Sequence, residues 1–247
     1  MPILNDAGLK HQTLPTGHYG YSATRLDDLG AAEYTLVTIV CDVSPSVASF
    51  VDEMEAALRE IVKACRFSPR ADNLMVRLVT FSGTMYEVHG FKLLERCNPD
   101  DYKKVLRIGS ATALYDAAEN AISAHADYGK QLTNADLAVN GIVFVITDGE
   151  DNMSGLGVGE VRKALTGAVQ TEALEGLTSV LIGVNVTDTR IGAYLQDFKT
   201  EAGFTHYLEL AGADSATLAG LADFVSRSIT LQSRHLGSGG PVPSLTF

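Results

Sequence analysis

Three short stretches carry oxygen atoms at spacings that could hold a cation. Asp42-Val43-Ser44-Pro45-Ser46 packs one carboxylate and two hydroxyls into the loop that follows the apolar run Tyr34 to Cys41. Ser110-Ala111-Thr112 places further hydroxyls ahead of a helix-patterned segment, and Val143 to Thr147 delivers Asp148-Gly149-Glu150-Asp151-Asn152. If the three converge, Ser44, Ser46 and Thr112 offer neutral oxygens, while Asp42 and Asp148 offer charged ones. An all-oxygen set of this kind suits a hard cation. Mg²⁺ fits best, because it favours octahedral oxygen coordination while keeping some waters; Mn²⁺ and Ca²⁺ are the alternatives. If neutral hydroxyls stand nearest the ion and the carboxylates mostly behind, the cation keeps much of its electrophilicity, and an open position would then attract a carboxylate.

Each fragment also has an ordinary reading. Ser44 followed by Pro45 is what a helix start looks like, with Ser at the N-cap and Pro at the first position. Thr112 could cap the next helix, with Asp116 favourably placed near its first turn, and Asp148-Gly149 could be a turn after a strand. Taken singly, those readings win. They lose when all three fragments fall at one edge of one sheet.

The elements expected around them form a β-loop-α series. Tyr34 to Cys41 reads as a strand covered on both faces, and Val47 to Cys65 carries apolar residues at helical spacing. Leu74 to Phe81 and Met85 to Val88 read as strands joined tightly through Ser82-Gly83, and Ala111 to Ala126 as a helix. Further strands are expected at 141–147, 178–184 and 205–210, with helices at 158–171, 190–200 and 215–231. Parallel strands need helical crossovers, so the spacing implies an α/β fold: a doubly wound, Rossmann-like three-layer sandwich with a mostly parallel sheet and one antiparallel edge strand. In such sheets ligands bind beyond the carboxyl ends of the strands. Residues 1–33 show no periodicity and read as an extension, 34–231 as the domain, and 232–247 as a flexible tail rich in Ser, Gly and Pro.

Together these pieces resemble the von Willebrand factor type A family. Its metal-ion-dependent adhesion site reads Asp-x-Ser-x-Ser, then Thr opening a later helix, then Asp within Thr-Asp-Gly, and Asp42, Ser44, Ser46, Thr112 and Asp148 match in order. The likeness spans about 34–231 and includes Thr112-Ala113-Leu114-Tyr115-Asp116-Ala117, a common string in the family. Pro45 stands where the family usually has Gly, Val47 where Met is frequent, and Ser110-Ala111 replaces Gly-Gly; none of these changes removes an oxygen ligand. The resemblance implies a non-enzymatic, divalent-metal-dependent adaptor that binds a partner's carboxylate. For intracellular members it implies a MoxR-type AAA+ ATPase or a stress-response kinase/phosphatase system as partner.

The rival chemistry is a Mg²⁺-dependent phosphatase or phosphotransferase of the haloacid dehalogenase type, which also starts from a strand ending in Asp. That chemistry needs a second Asp two residues on as general acid, and position 44 is Ser. Gly155-Leu156-Gly157-Val158-Gly159 lies beyond its strand with Glu160 at the third-glycine position, so it reads as a mobile loop and not a dinucleotide fingerprint. The six histidines lack metal-ligand spacing with cysteine. A net charge of −11 disfavours nucleic acid and anionic membrane. Three scattered cysteines, an N-terminus without a signal-like run and the absence of a bilayer-length apolar stretch point to a soluble cytoplasmic protein.

Overall fold

In the computed structural model, which describes residues 8–14, 19–170 and 174–235, the apolar runs form the middle of a sheet. The strands are β1 (Leu9–Thr13), β2 (Gly20–Thr24), β3 (Glu33–Asp42), β4 (Leu74–Phe81), β5 (Met85–Leu93), β6 (Ala138–Thr147), β7 (Leu177–Gly183) and β8 (His206–Glu209). The helices are α1 (Val51–Arg66), α2 (Leu114–Thr133), α3 (Val158–Gln170), α4 (Thr189–Ala202) and α5 (Ser215–His235). Strand order is β1-β2-β5-β4-β3-β6-β7-β8. β4, β3, β6, β7 and β8 run parallel to one another, and β5 is antiparallel to β4.

Alternation along the strands fills both faces. Val37, Ile39 and Cys41 of β3, with Ile142, Phe144 and Ile146 of β6, pack against α1 and α5. Val40, Val143 and Val145 pack against α2, α3 and α4 on the other side. The chain winds from β3 to β4 in one direction and from β6 to β7 in the other. The topological switch therefore falls between the C-terminal ends of β3 and β6, where a crevice must open.

The start of the chain departs from expectation. Within the span read as an aperiodic extension, β1 and β2 form an antiparallel hairpin that continues the sheet beyond β5. Gly90 permits this docking, since a Cβ there would collide with the Ser22 carbonyl. Arg77 of β4, fully buried, lies beneath the hairpin. It bonds Glu87 Oε2 and Asn120 Oδ1, both at 2.8 Å, and lies over the Phe91 ring at 5.8 Å from its centroid. Glu87 Oε2 also accepts the Ser22 N–H at 3.1 Å, and Asn120 donates to the Gly20 carbonyl at 3.4 Å. At the other end α5 runs to His235, past the expected tail boundary; the tail residues 236–247 lie outside the described residues.

Candidate metal centre

Asp42 ends β3, and strand alternation turns its side chain toward the α2 face, as it does for Thr38, whose hydroxyl lies 3.3 Å from His125 of α2. The register Cys41↔Ile146 sets the next residues, Asp42 and Thr147, side by side, and Thr147 Oγ1 donates to Asp42 Oδ2 at 2.6 Å. Oδ1 accepts the Ser44 N–H at 2.7 Å, so a carboxylate only 2% exposed is held at both oxygens.

Ser44 does sit at the N-cap of a short 3₁₀ turn, Pro45–Ser49, with Pro at its first position, as an ordinary helix start would have it. Its hydroxyl makes no capping bond, although such a bond is worth about 1 kcal/mol. It lies 3.0 Å from Ser46 Oγ instead, and Ser46 Oγ donates to Asp148 Oδ1 at 2.8 Å. Pro45, where the family has Gly, suits this turn because its fixed φ matches the helical start.

Thr112 arrives by its backbone. Helix α2 begins at Leu114 with Ala113 at the N-cap, so Thr112 lies just outside the helix. Asn152 Oδ1 accepts the Thr112 N–H at 2.9 Å, and the Asn152 and Met153 N–H groups donate to its carbonyl at 2.9 and 3.2 Å. Gly109 N–H donates to the Val43 carbonyl at 2.8 Å. The loop before α2 is thus fastened both to the β3 loop and to the segment after Asp148. The Thr112 side chain, 5% exposed, takes no part in the hydrogen-bond chain that links Asp42, Ser44, Ser46 and Asp148. Neither Ser110 nor Ala111 has the positive φ that would demand glycine, which explains how non-glycine residues serve there.

The sequence model of the von Willebrand factor type A domain matches residues 37–221. The chain belongs to that family. A comparison with curated protein sequences finds no match. Among solved structures, this type A domain is similar to proximal thread matrix protein 1 of the mussel byssus, with TM-score 0.56 and 20% identity over 82% of this chain and 47% of that one. A further structure of the mussel protein, TM-score 0.53 and 19% identity over 82% of this chain and 46% of that one, is described as having a zinc-occupied MIDAS motif. The PilB minor pilin of Streptococcus sanguinis matches with TM-score 0.57 and 16% identity over 89% of this chain and 66% of that one. This chain therefore spans about half the mussel protein and just under two thirds of the pilin.

The electrostatics of this type A domain follow from burial. Desolvation pushes Asp42 up to about 6, against bonds from Thr147 and Ser44, and the neighbouring Asp148 charge adds to the rise. Burial raises Asp148 as well, against its serine bonds. Among the described residues neither carboxylate is in an ion pair with Lys or Arg. Two desolvated like charges bridged by hydroxyls fit a hard divalent cation. Among the described residues no group of three His, Cys, Asp or Glu is gathered for a metal, so a cation here would have to lean on Ser and Thr.

Two positioning residues escaped sequence reasoning. Thr147 owes its role to inter-strand register, and Asn152 to a loop contact forty residues from its partner. The glycine loop expected to be mobile is fastened: Asp116 accepts the N–H groups of Gly155 and Leu156 at 3.2 and 2.9 Å, which leaves neither facing a phosphate.

Proposed function

We propose that this domain is a non-enzymatic binding module that grips a protein partner through one divalent cation, Mg²⁺ by preference, held by Asp42, Ser44, Ser46, Thr112 and Asp148. The observation that supports it is the bonded chain Asp42–Ser44–Ser46–Asp148, with two desolvated carboxylates that form no ion pair among the described residues. Ser44, Ser46 and Thr112 lend neutral oxygens, Asp42 and Asp148 lend charge, and Thr147 aims Asp42. When bound, the cation supplies an electrophilic position that an Asp or Glu of the partner can fill.

A MoxR-type AAA+ ATPase or a stress-response kinase/phosphatase is the partner class we favour, in the cytoplasm. Three buried, unpaired cysteines support a reducing compartment. No helix among the described residues is long and apolar enough to cross a membrane. The haloacid dehalogenase alternative gains no support: Asp42 is buried and doubly hydrogen-bonded, and Ser44 occupies the general-acid position.

Titration calorimetry with Mg²⁺, Mn²⁺, Ca²⁺ and Zn²⁺, beside a pull-down with and without chelator, tests this reading. One-site binding lost in Asp42→Ala, with capture lost in chelator, is expected; capture indifferent to both treatments refutes it.

A further inference from the structure

Beside the metal centre lies a groove of about 610 Å³ whose walls include the β4–β5 turn, residues 107–110 and Met153. It adjoins Thr112: Ala113 N–H donates to the Ser82 carbonyl at 2.6 Å on one wall, and Met153 N–H donates to the Thr112 carbonyl at 3.2 Å on another.

Its lining is unusual for this molecule. Of the six large hydrophobic side chains that stand clearly exposed among the described residues, three line it: Tyr86 at 54%, Ile108 at 40% and Met153 at 60%. Exposed apolar groups scattered singly need no explanation, but clustered ones mark an interaction site. The charge is unusual too. In a chain of net charge −11, the groove's sole charged lining residue is a cation, Arg107, exposed and in no salt bridge among the described residues.

The walls are also built in advance. Glu55, 7% exposed, accepts the N–H groups of Lys104 and Leu106 at 2.7 and 3.0 Å, and the Gly109 N–H is taken by the Val43 carbonyl at 2.8 Å. A surface already ordered spends little entropy on docking.

The geometry points to this groove as the surface that reads the partner's sequence around the metal-seeking carboxylate. The partner segment it fits carries an apolar side chain for Tyr86, Ile108 and Met153 and a second acidic residue for Arg107. This rests on the metal-binding reading above, which by itself selects only a carboxylate. Negative potential over the rest of the molecule would repel an acidic segment, so Arg107 orients it as well as attracting it.

The test is an array of immobilised peptides with a fixed central Asp and every combination of Leu, Ser, Glu and Lys at the flanking positions, probed with the whole chain in Mg²⁺ and in chelator. Wild type is expected to retain peptides bearing both Leu and Glu, and to release them in chelator. Arg107→Glu should weaken the Glu-bearing peptides at least about tenfold and favour Lys-bearing ones, with Mg²⁺ dependence intact. Ile108→Ser with Tyr86→Ser should erase the preference for Leu. All three side chains are exposed, so folding survives, and an unchanged melting temperature verifies it.

Unaltered flank preferences in these variants, with Mg²⁺ dependence kept, overturn the groove and spare the metal reading. Flank preferences that the variants abolish but chelator and Asp42→Ala do not touch uphold the groove and overturn the metal reading. An array with no retained peptide overturns the groove, as does a dimer in sedimentation that Ile108→Asp dissociates, which would make a second copy the occupant.

Discussion

Burial and charge oppose each other most directly at Asp42. Unfolded, this carboxyl titrates near 3.8; folded, near 6. The folded state therefore binds more protons between those values. The stability this gives is complete below 3.8 and lost as pH rises through 6. At pH 7.5 the metal-free chain carries the buried charge at a cost on the order of 3 kcal/mol. Asp42→Asn removes the charge, and the Thr147 hydroxyl can turn to accept as readily as it donates. The variant should melt higher than wild type in chelator at pH 7.5, yet gain nothing from Mg²⁺; scanning fluorimetry in both buffers reads this, and a lower melting point in chelator would contradict it. Thr147→Val tests the aiming of Asp42. Removing an orienting bond behind a ligand should weaken metal binding roughly 10- to 100-fold in calorimetry, and should also cost the metal-free chain about 1–3 kcal/mol because a buried carboxylate oxygen loses its donor. The ligand candidates were legible in the sequence because carboxylates and hydroxyls announce themselves by type. Thr147 and Asn152 were not, because a residue's partner across strands or loops depends on register and packing that no local spacing records.

Elements differ in legibility for the same reason. The strand Leu74–Phe81 appears where its apolar residues predict it, since such a run must be covered on both faces. β5 runs to Leu93 rather than stopping at Val88 because His89 and Gly90 break the apolar pattern while the backbone pairing continues. The hairpin of β1 and β2 was illegible: Leu-Lys-His-Gln-Thr has no alternation, the alternation of Tyr21 and Ala23 with Ser22 and Thr24 is too short to stand out, and tertiary contacts hold both strands. Those contacts converge on Arg77 and Glu87, and they make the element's stability testable. Glu87→Ala leaves Arg77 charged, buried and without its carboxylate, which should cost about 3–5 kcal/mol in urea denaturation. Arg77→Met with Glu87→Leu should recover much of that loss, because apolar groups of similar volume replace the pair without an orphan charge. A Glu87→Ala cost below about 1 kcal/mol would mean that water reaches Arg77 and the hairpin does not seal it.

For the molecule as a whole, acid stability is set by two histidines far from the candidate metal centre. His89 and His125 are buried, and burial holds each down to about 4 against an ordinary 6.5. His89 is satisfied by the Gly90 carbonyl at 2.9 Å and the Tyr102 hydroxyl at 2.8 Å; neutral His125 can donate from Nε2 to the Leu36 carbonyl at 3.2 Å and accept at Nδ1 from the Thr38 hydroxyl at 3.3 Å. Between pH 6.5 and 4 the unfolded chain binds more protons than the folded one at both sites. Stability from them is whole above 6.5 and falls as pH drops toward 4, by on the order of 3 kcal/mol for each. Asp42 in the metal-free chain acts in the opposite sense, gaining stability as pH falls through 6. In chelator the two effects partly cancel near pH 6, and the melting temperature should change little until the histidines dominate below about 5. With saturating Mg²⁺ the profile should separate from this one. Ion present at a hundredfold over its dissociation constant adds about 2.7 kcal/mol at pH 7.5, and the gain shrinks as protons compete for Asp42. The two melting curves, taken from pH 7.5 to 4.5, should therefore converge on the acid side. Curves that stay parallel would detach the ion from Asp42, and curves without any acid loss would show that His89 and His125 are not the buried neutral groups their bonds describe.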